Sequence, residues 1–185
     1  MAAVQAPVLP QTQKCVMPGP DKEMTVVDGQ PISDCPPGYV IIKTKAVALN
    51  PVDTKMFGDF VTPGLTYGMD CAGVVVKLGE GVTSRKIGDR VASSGRGMDK
   101  VRPYGGAFCE YSLLIADLCI ALPDDMSFED GATLGTAVAS ASLTVFWNLG
   151  IDPELMDNPT DKPETVLVYG GSTATATTII QAIKS

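Results

Sequence analysis

Residues Val166 to Ser185 read VLVYGGSTATATTIIQAIKS. An apolar, β-branched run meets the Gly170-Gly171 pair, and small or hydroxyl-bearing residues then lead into Ile179 and Ile180. This pattern predicts a buried strand of the parallel-sheet kind, a tight turn and the start of a helix. A dinucleotide-binding turn carries G-x-G-x-x-G at this place. Its backbone then comes close to a diphosphate, and the helix N-terminus lends partial positive charge. The matching positions here are Gly171, Thr173 and Ala176, so one glycine of the three remains. Ser172, Thr173 and Thr175 offer hydroxyl donors for phosphate oxygens that glycine backbones otherwise hold. A strand-turn-helix with no ligand stays open on this pattern alone.

The chain before this motif has a different texture. Pro7, Pro10, Pro18, Pro20, Pro31, Pro36 and Pro37 suit short edge strands and turns near the start. YVIIKTKAVALN (Tyr39–Asn50) reads as a long strand with Lys43 and Lys45 on one face and Ile42, Thr44 and Ala46 on the other. DCAGVVVKLGEGV from Asp70 reads as a strand entering a tight turn, and IGDRVAS (Ile87–Ser93) as a shorter one. GGAFCEYSLLI (Gly105–Ile115) alternates Phe108, Glu110 and Ser112 against Cys109, Tyr111 and Leu113. Many short strands, Gly-rich turns and no helical pattern before Ser127 predict a small β-barrel or sandwich. Ser127 and Asp130 resemble a capping box, and an uncharged helix is expected from Phe128 to about Leu149. GIDPELMDNPTDKPE (Gly150–Glu164) reads as a boundary loop.

The 185 residues include no histidine, which removes the commonest general base and the commonest zinc ligand. No metal site is expected. A net charge of -7 argues against a nucleic-acid groove or an anionic membrane surface as the main partner. The uncharged stretch Gly131–Ile151 is long enough to span a bilayer, but its hydroxyls and lack of large aliphatics favour a buried helix. Cys15, Cys35, Cys71, Cys109 and Cys119 form an odd, scattered set without C-x-x-C spacing. The start MAAVQAPVLP has neither a basic end nor an apolar core, and NPT at Asn158 is no glycosylation acceptor. Reduced thiols and a cytoplasmic protein are expected.

Several segments, in order, resemble the medium-chain dehydrogenase/reductase superfamily. NPVDTKMFGDF (Asn50–Phe60), YGMDCAGVVVKLGEGV (Tyr67–Val82), GDRV (Gly88–Val91) and GGAFCEY (Gly105–Tyr111) look like its GroES-like catalytic domain. VLVYGGSTATAT (Val166–Thr177) looks like the opening of its cofactor domain. The zinc branch has Cys and His where this chain has Val52 and Met69, so the zinc-free branch is implied. Lys55-Met56 and the STATAT string resemble the trans-acting enoyl reductases of fungal polyketide biosynthesis, the lovastatin type.

The resemblance implies a mixed β and α/β fold: a GroES-like β-barrel followed by the first βα unit of an incomplete Rossmann domain. The expected divisions are 1–126 for the barrel, 127–164 for an interdomain helix and linker, and 165–185 for the start of the nucleotide-binding unit. It also implies NADPH-dependent reduction of an α,β-unsaturated polyketide thioester on the acyl carrier of a partner polyketide synthase. By motif match, Val52, Asp53, Thr54 and Lys55 border the nicotinamide, with Lys55 the catalytic candidate. Gly171, Ser172, Thr173, Ala174 and Thr175 hold the diphosphate. Ala141, Ser142, Leu143, Thr144, Val145, Phe146, Trp147 and Asn148 fall where the family lines its acyl pocket.

Each position has a plainer reading. Lys55 can be a solvated lysine, Asp53 a cap of a helical turn, and Phe146 and Trp147 ordinary core. Tyr67 or Tyr111 can donate a proton to an enolate, without a geometry to place either.

A member of this architecture needs further parallel strands and a return segment to its barrel, so the chain reads as a truncated relative with an incomplete NADPH site. Val166–Tyr169 would then lack a ladder partner. A non-catalytic remnant and a zinc-free quinone oxidoreductase are the alternatives.

Overall fold

A computed structural model describes residues 7–21, 23–55, 61–156 and 165–184. They fall into two compact units, one ending at Gly135 and one starting at Thr136.

The first unit is built on antiparallel strands. β1 (Thr12–Pro18) and β2 (Met24–Pro31) form a two-stranded sheet. A second sheet has the order β6-β3-β4-β5-β7. Its members are β3 (Tyr39–Ala48), β4 (Asp70–Leu78), β5 (Arg90–Ser94), β6 (Tyr111–Ile115) and β7 (Ile120–Ala121). Strand β4 is buried along most of its length because both its neighbours pair with it. This explains why its sequence is a continuous apolar run instead of an alternation. Val40, Ile42, Cys71, Val75, Val91 and Leu114 close the core between the strands. Strand β3 meets the expectation face by face: Lys43 and Lys45 are exposed, Thr44 and Ala46 half-buried.

The alternation expected from Gly105 forms a continuous strand only from Tyr111. Ser112 lies fully buried, sharing a 2.9 Å hydrogen bond with Thr44 and donating to the Ala107 carbonyl. A polar residue thus occupies a core position because two partners satisfy it.

α1 (Pro51–Lys55) is the single helical turn that the plainer reading of Asp53 offered. α2 (Phe128–Ala132) begins at Ser127, whose hydroxyl accepts the Asp130 N–H at 3.0 Å and donates to the Asp130 carboxylate at 2.6 Å. Arg90, from the GDRV segment, lies over the Phe128 ring at 4.5 Å and donates to the Pro123 and Met126 carbonyls. This anchors α2 to the barrel beside Ala72, Ala92 and Leu122.

The single helix expected from Phe128 to about Leu149 is three pieces. Thr133 donates its hydroxyl to the Asp130 carbonyl, a side-chain bond that competes with helical continuation. Gly135 is then pinned where an added Cβ would meet Asp70 and the Ser93 backbone at 2.6 Å. α3 (Gly135–Ser142) follows, and residues Leu143–Asn148 continue it as a π-helical turn. There the Leu149 N–H reaches the Thr144 carbonyl, while the Thr144 hydroxyl donates to Ser140. Among the described residues, no helix is long and apolar enough to cross a membrane.

In the second unit α4 (Ala174–Ala182) forms as expected. The strand expected before it does not: Val166–Tyr169 joins no ladder among the described residues, and Leu167 and Tyr169 are almost fully exposed. With no neighbouring strand to take its amides, an apolar run by itself makes no sheet. Residues 157–164 of the boundary loop, with Asn158, lie outside the described residues, as do Met56 to Phe60.

Candidate functional site

The predicted site residues fall on two structures, one in each unit. In the first, β3 ends at Ala48 and the chain turns into α1 through Asn50-Pro51. Pro51 takes the first helical position, where a missing N–H does no harm. Asn50 and Asp53 close the turn reciprocally. The Asp53 N–H donates to the Asn50 carbonyl at 2.9 Å, and the Asn50 N–H donates to the Asp53 carboxylate at 2.7 Å. The Asn50 side-chain amide also donates to Asp70 at 2.8 Å, tying the turn to the first residue of β4.

Burial separates the four predicted contacts. Asp53 is buried, whereas Val52, Thr54 and Lys55 face outward. Asp53 therefore builds the turn that presents the other three. Lys55 is exposed at the end of α1 and makes no ion pair among the described residues. Sequence reasoning missed the Asn50–Asp70 link. Its signal was present: Asp70 is a carboxylate opening the apolar run Cys71–Val76, and it is buried.

Tyr67 lies beside this group, almost fully buried. Burial, and secondarily the Asp53 charge, hold its phenol above the ordinary range, which keeps it protonated. Tyr111, the other tyrosine considered as a proton donor, pairs with Lys43 in the β3–β6 ladder.

Burial raises the Asp53 pKa, offset in part by the Asn50 N–H and reinforced by Asp70. The folded chain thus holds this proton more tightly than the unfolded one. The associated stability is present at low pH and is lost as pH rises through the folded value. Asp53→Asn keeps an oxygen for the Asn50 N–H and removes the buried charge. At neutral pH it is expected to leave stability unchanged or raise it slightly. Asp53→Ala loses the cap and is expected to cost about 1 kcal/mol. Urea midpoints of both variants at neutral and mildly acidic pH check this.

In the second unit, the Thr173 hydroxyl accepts the Ala176 N–H at 3.2 Å, making Thr173 the N-cap of α4. The threonine that stands at a glycine position therefore starts the helix. Its own hydroxyl proton stays available, and so do the N–H groups of Ala174 and Thr175, which have no partner inside a helix. Ser172 is exposed beside them. Gly170 adopts a φ of 81°, and an added Cβ at Gly171 would meet nothing closer than 3.5 Å. Donors of this kind at an exposed helix start have the chemistry to hold a diphosphate; Thr177 instead bonds inward to Gly171 and Thr173.

The stretch Ala141–Asn148 does not share one environment, and half-buried Thr144 bonds back to the Ser140 carbonyl. Ala141 and Val145 are buried with Ile179. Ala141, Ser142 and Phe146 face Thr178, Gln181 and Ala182 of α4 across an apolar cavity of about 360 Å³. Leu143, Trp147 and Asn148 point to solvent, so Trp147, 82% exposed, is not the core residue its bulk suggests.

Residues 36–124 match the alcohol dehydrogenase GroES-like domain family. The trans-enoyl reductase buaC of Petromyces alliaceus is 48% identical over 178 residues, which cover 96% of this chain and 50% of that protein. The trans-enoyl reductase caaB of Aspergillus niger is 40% identical over 185 residues, covering 96% and 50%. Among solved structures, an alcohol dehydrogenase superfamily protein from Novosphingobium aromaticivorans shares the fold, with a TM-score of 0.72 at 20% identity. The match covers 94% of this chain and 50% of that one. The chain spans about half the length of the curated relatives it matches. With such identity sustained over nearly all of its residues, the chain resembles about half the length of the fungal trans-enoyl reductases, and within that half it carries a segment of the alcohol dehydrogenase GroES-like domain family.

Proposed function

We propose that this chain contributes the barrel and the diphosphate-holding turn of an NADPH-dependent trans-enoyl reductase. Its substrate is an α,β-unsaturated polyketide thioester carried by a partner synthase. The single observation carrying this reading is the 48% identity to a trans-enoyl reductase across 178 residues. NADPH supplies a hydride for the β-carbon of the thioester. The protein's own residues bind, orient and neutralise charge.

In this reading Ser172 and Thr173 donate their hydroxyls, and Ala174 and Thr175 their N–H groups, to the diphosphate. Val52 and Thr54 border the nicotinamide, on a turn that Asn50, Asp53 and Asp70 hold in place. The Lys55 ammonium stabilises the oxyanion that develops on the thioester carbonyl. The cavity bounded by Ala141, Ser142 and Phe146 is offered to the acyl chain. Gly171 supplies the open backbone of the turn.

The test is a fusion of this chain to the part of the Petromyces alliaceus relative that it does not span. Loss of NADPH absorbance is followed with an α,β-unsaturated N-acetylcysteamine thioester and, separately, with a quinone. Thioester-dependent turnover is expected, and Lys55→Ala is expected to lower kcat on the order of 100-fold, the scale of one lost charge contact at a developing oxyanion. Quinone reduction with the thioester untouched would point instead to a quinone oxidoreductase.

A further inference from the structure

Cys15 and Cys109 are 94 positions apart in sequence and directly opposed in the fold, as an isolated antiparallel bridge. The Val16 N–H donates to the Phe108 carbonyl at 2.8 Å, and the Glu110 N–H to the Lys14 carbonyl at 3.1 Å. These two bonds flank the cysteines, which makes them a non-hydrogen-bonded cross-strand pair. In such a pair the Cα atoms stand roughly 4.5 Å apart and the side chains share a face. That separation lies at the short end of the range that disulfides span. The two side chains pack together with Met17 in one buried cluster. Both also line a groove of about 470 Å³ at the barrel surface, which gives a small reagent a way in.

No other cysteine has this arrangement. Cys71 stands opposite Val47 on one side and Ser93 on the other, and burial pushes its thiol up to about 12. Cys119 is a core residue with its thiol donating to the Ile115 carbonyl, and Cys35 bonds the Tyr39 carbonyl. All five are free thiols in the structure.

We infer that Cys15 and Cys109 are an oxidisable dithiol, a modification site that a thiol–disulfide oxidant of the glutathione-disulfide class converts to a cross-strand disulfide. One thiolate attacks glutathione disulfide, forming a mixed disulfide and releasing one glutathione. The second thiolate attacks the protein sulfur of that mixed disulfide and releases the other. Two protein S–H groups are oxidised, one glutathione disulfide is reduced to two thiols, and one protein S–S bond forms. The product links β1 covalently to the segment leading into β6. It needs no strand movement, because the register is already that of a bridged pair. The neighbouring Cys15 side chain and burial hold the Cys109 thiol above its ordinary range, so the reaction is expected to speed up as pH rises into the mildly alkaline region. This inference is independent of the reductase reading.

The experiment treats the 185-residue chain with glutathione disulfide at mildly alkaline pH, blocks remaining thiols under denaturing conditions, and maps the peptides by mass spectrometry. The expected result is a single linked pair joining the Cys15 and Cys109 peptides, with Cys35, Cys71 and Cys119 recovered as blocked thiols. Linkage is expected to disappear in Cys109→Ala. Recovery of all five cysteines as blocked thiols would overturn the inference. So would a linked pair involving any other cysteine, or a Cys15 or Cys109 that stops at the glutathione adduct.

Discussion

Gly73→Ala is expected to destabilise the barrel by roughly 3 kcal/mol, the upper range for forcing atoms into a closed site. Gly73 sits in the middle of β4, paired with Thr44 on one side and Val91 on the other. Beside it the β3–β4 register slips between Thr44 and Ala46. An added Cβ at Gly73 would approach the Lys43 carbonyl oxygen to 2.2 Å, and that obstacle is backbone, not a side chain free to rotate. Relief requires the two central strands to part. The same strand carries Asp70, which holds Asn50 and with it the turn bearing Lys55. The loss of stability is therefore expected to reach the candidate site. Urea unfolding of the isolated chain checks this, and a midpoint equal to that of the unsubstituted protein would contradict it.

Most of the barrel was legible in the sequence because its signals are local. The Lys43/Lys45 alternation, the apolar run after Asp70 and the Gly79-Glu80-Gly81 turn each carry their own pattern. What escaped depended on distant partners. The alternation did not say which face Ser112 takes, and its burial is explained only by Thr44 and the Ala107 carbonyl. The uncharged stretch after Ser127 reads as one helix, because nothing local announces that Gly135 must fit against Asp70 and Ser93. Val166–Tyr169 shows the same limit from the other side: its residues favour a strand, yet a strand exists only where another backbone takes its hydrogen bonds. At the site, the Asn-Pro-x-Asp string carried the capped turn in full. Whether Asp53 faced a ligand or its own turn was not legible, since both readings need an Asp at that position.

Thr173→Asp separates the helix from the ligand. Aspartate is among the best N-caps and complements the helix dipole, so α4 is expected to be as stable as before or slightly more so. The same carboxylate would stand among the donors proposed for the diphosphate. Like charges at contact distance repel by several kcal/mol even under protein-surface screening. In the fusion with the remaining part of the relative, NADPH affinity is expected to fall on the order of 100-fold, equivalent to about 2.7 kcal/mol.

The most direct measurement is isothermal titration of NADPH into that fusion, unsubstituted and as Thr173→Asp, with helix content followed alongside. The account predicts saturable binding to the unsubstituted protein and its near-loss in the variant, with helicity intact. No binding to the unsubstituted protein, or equal affinity in both, would contradict it.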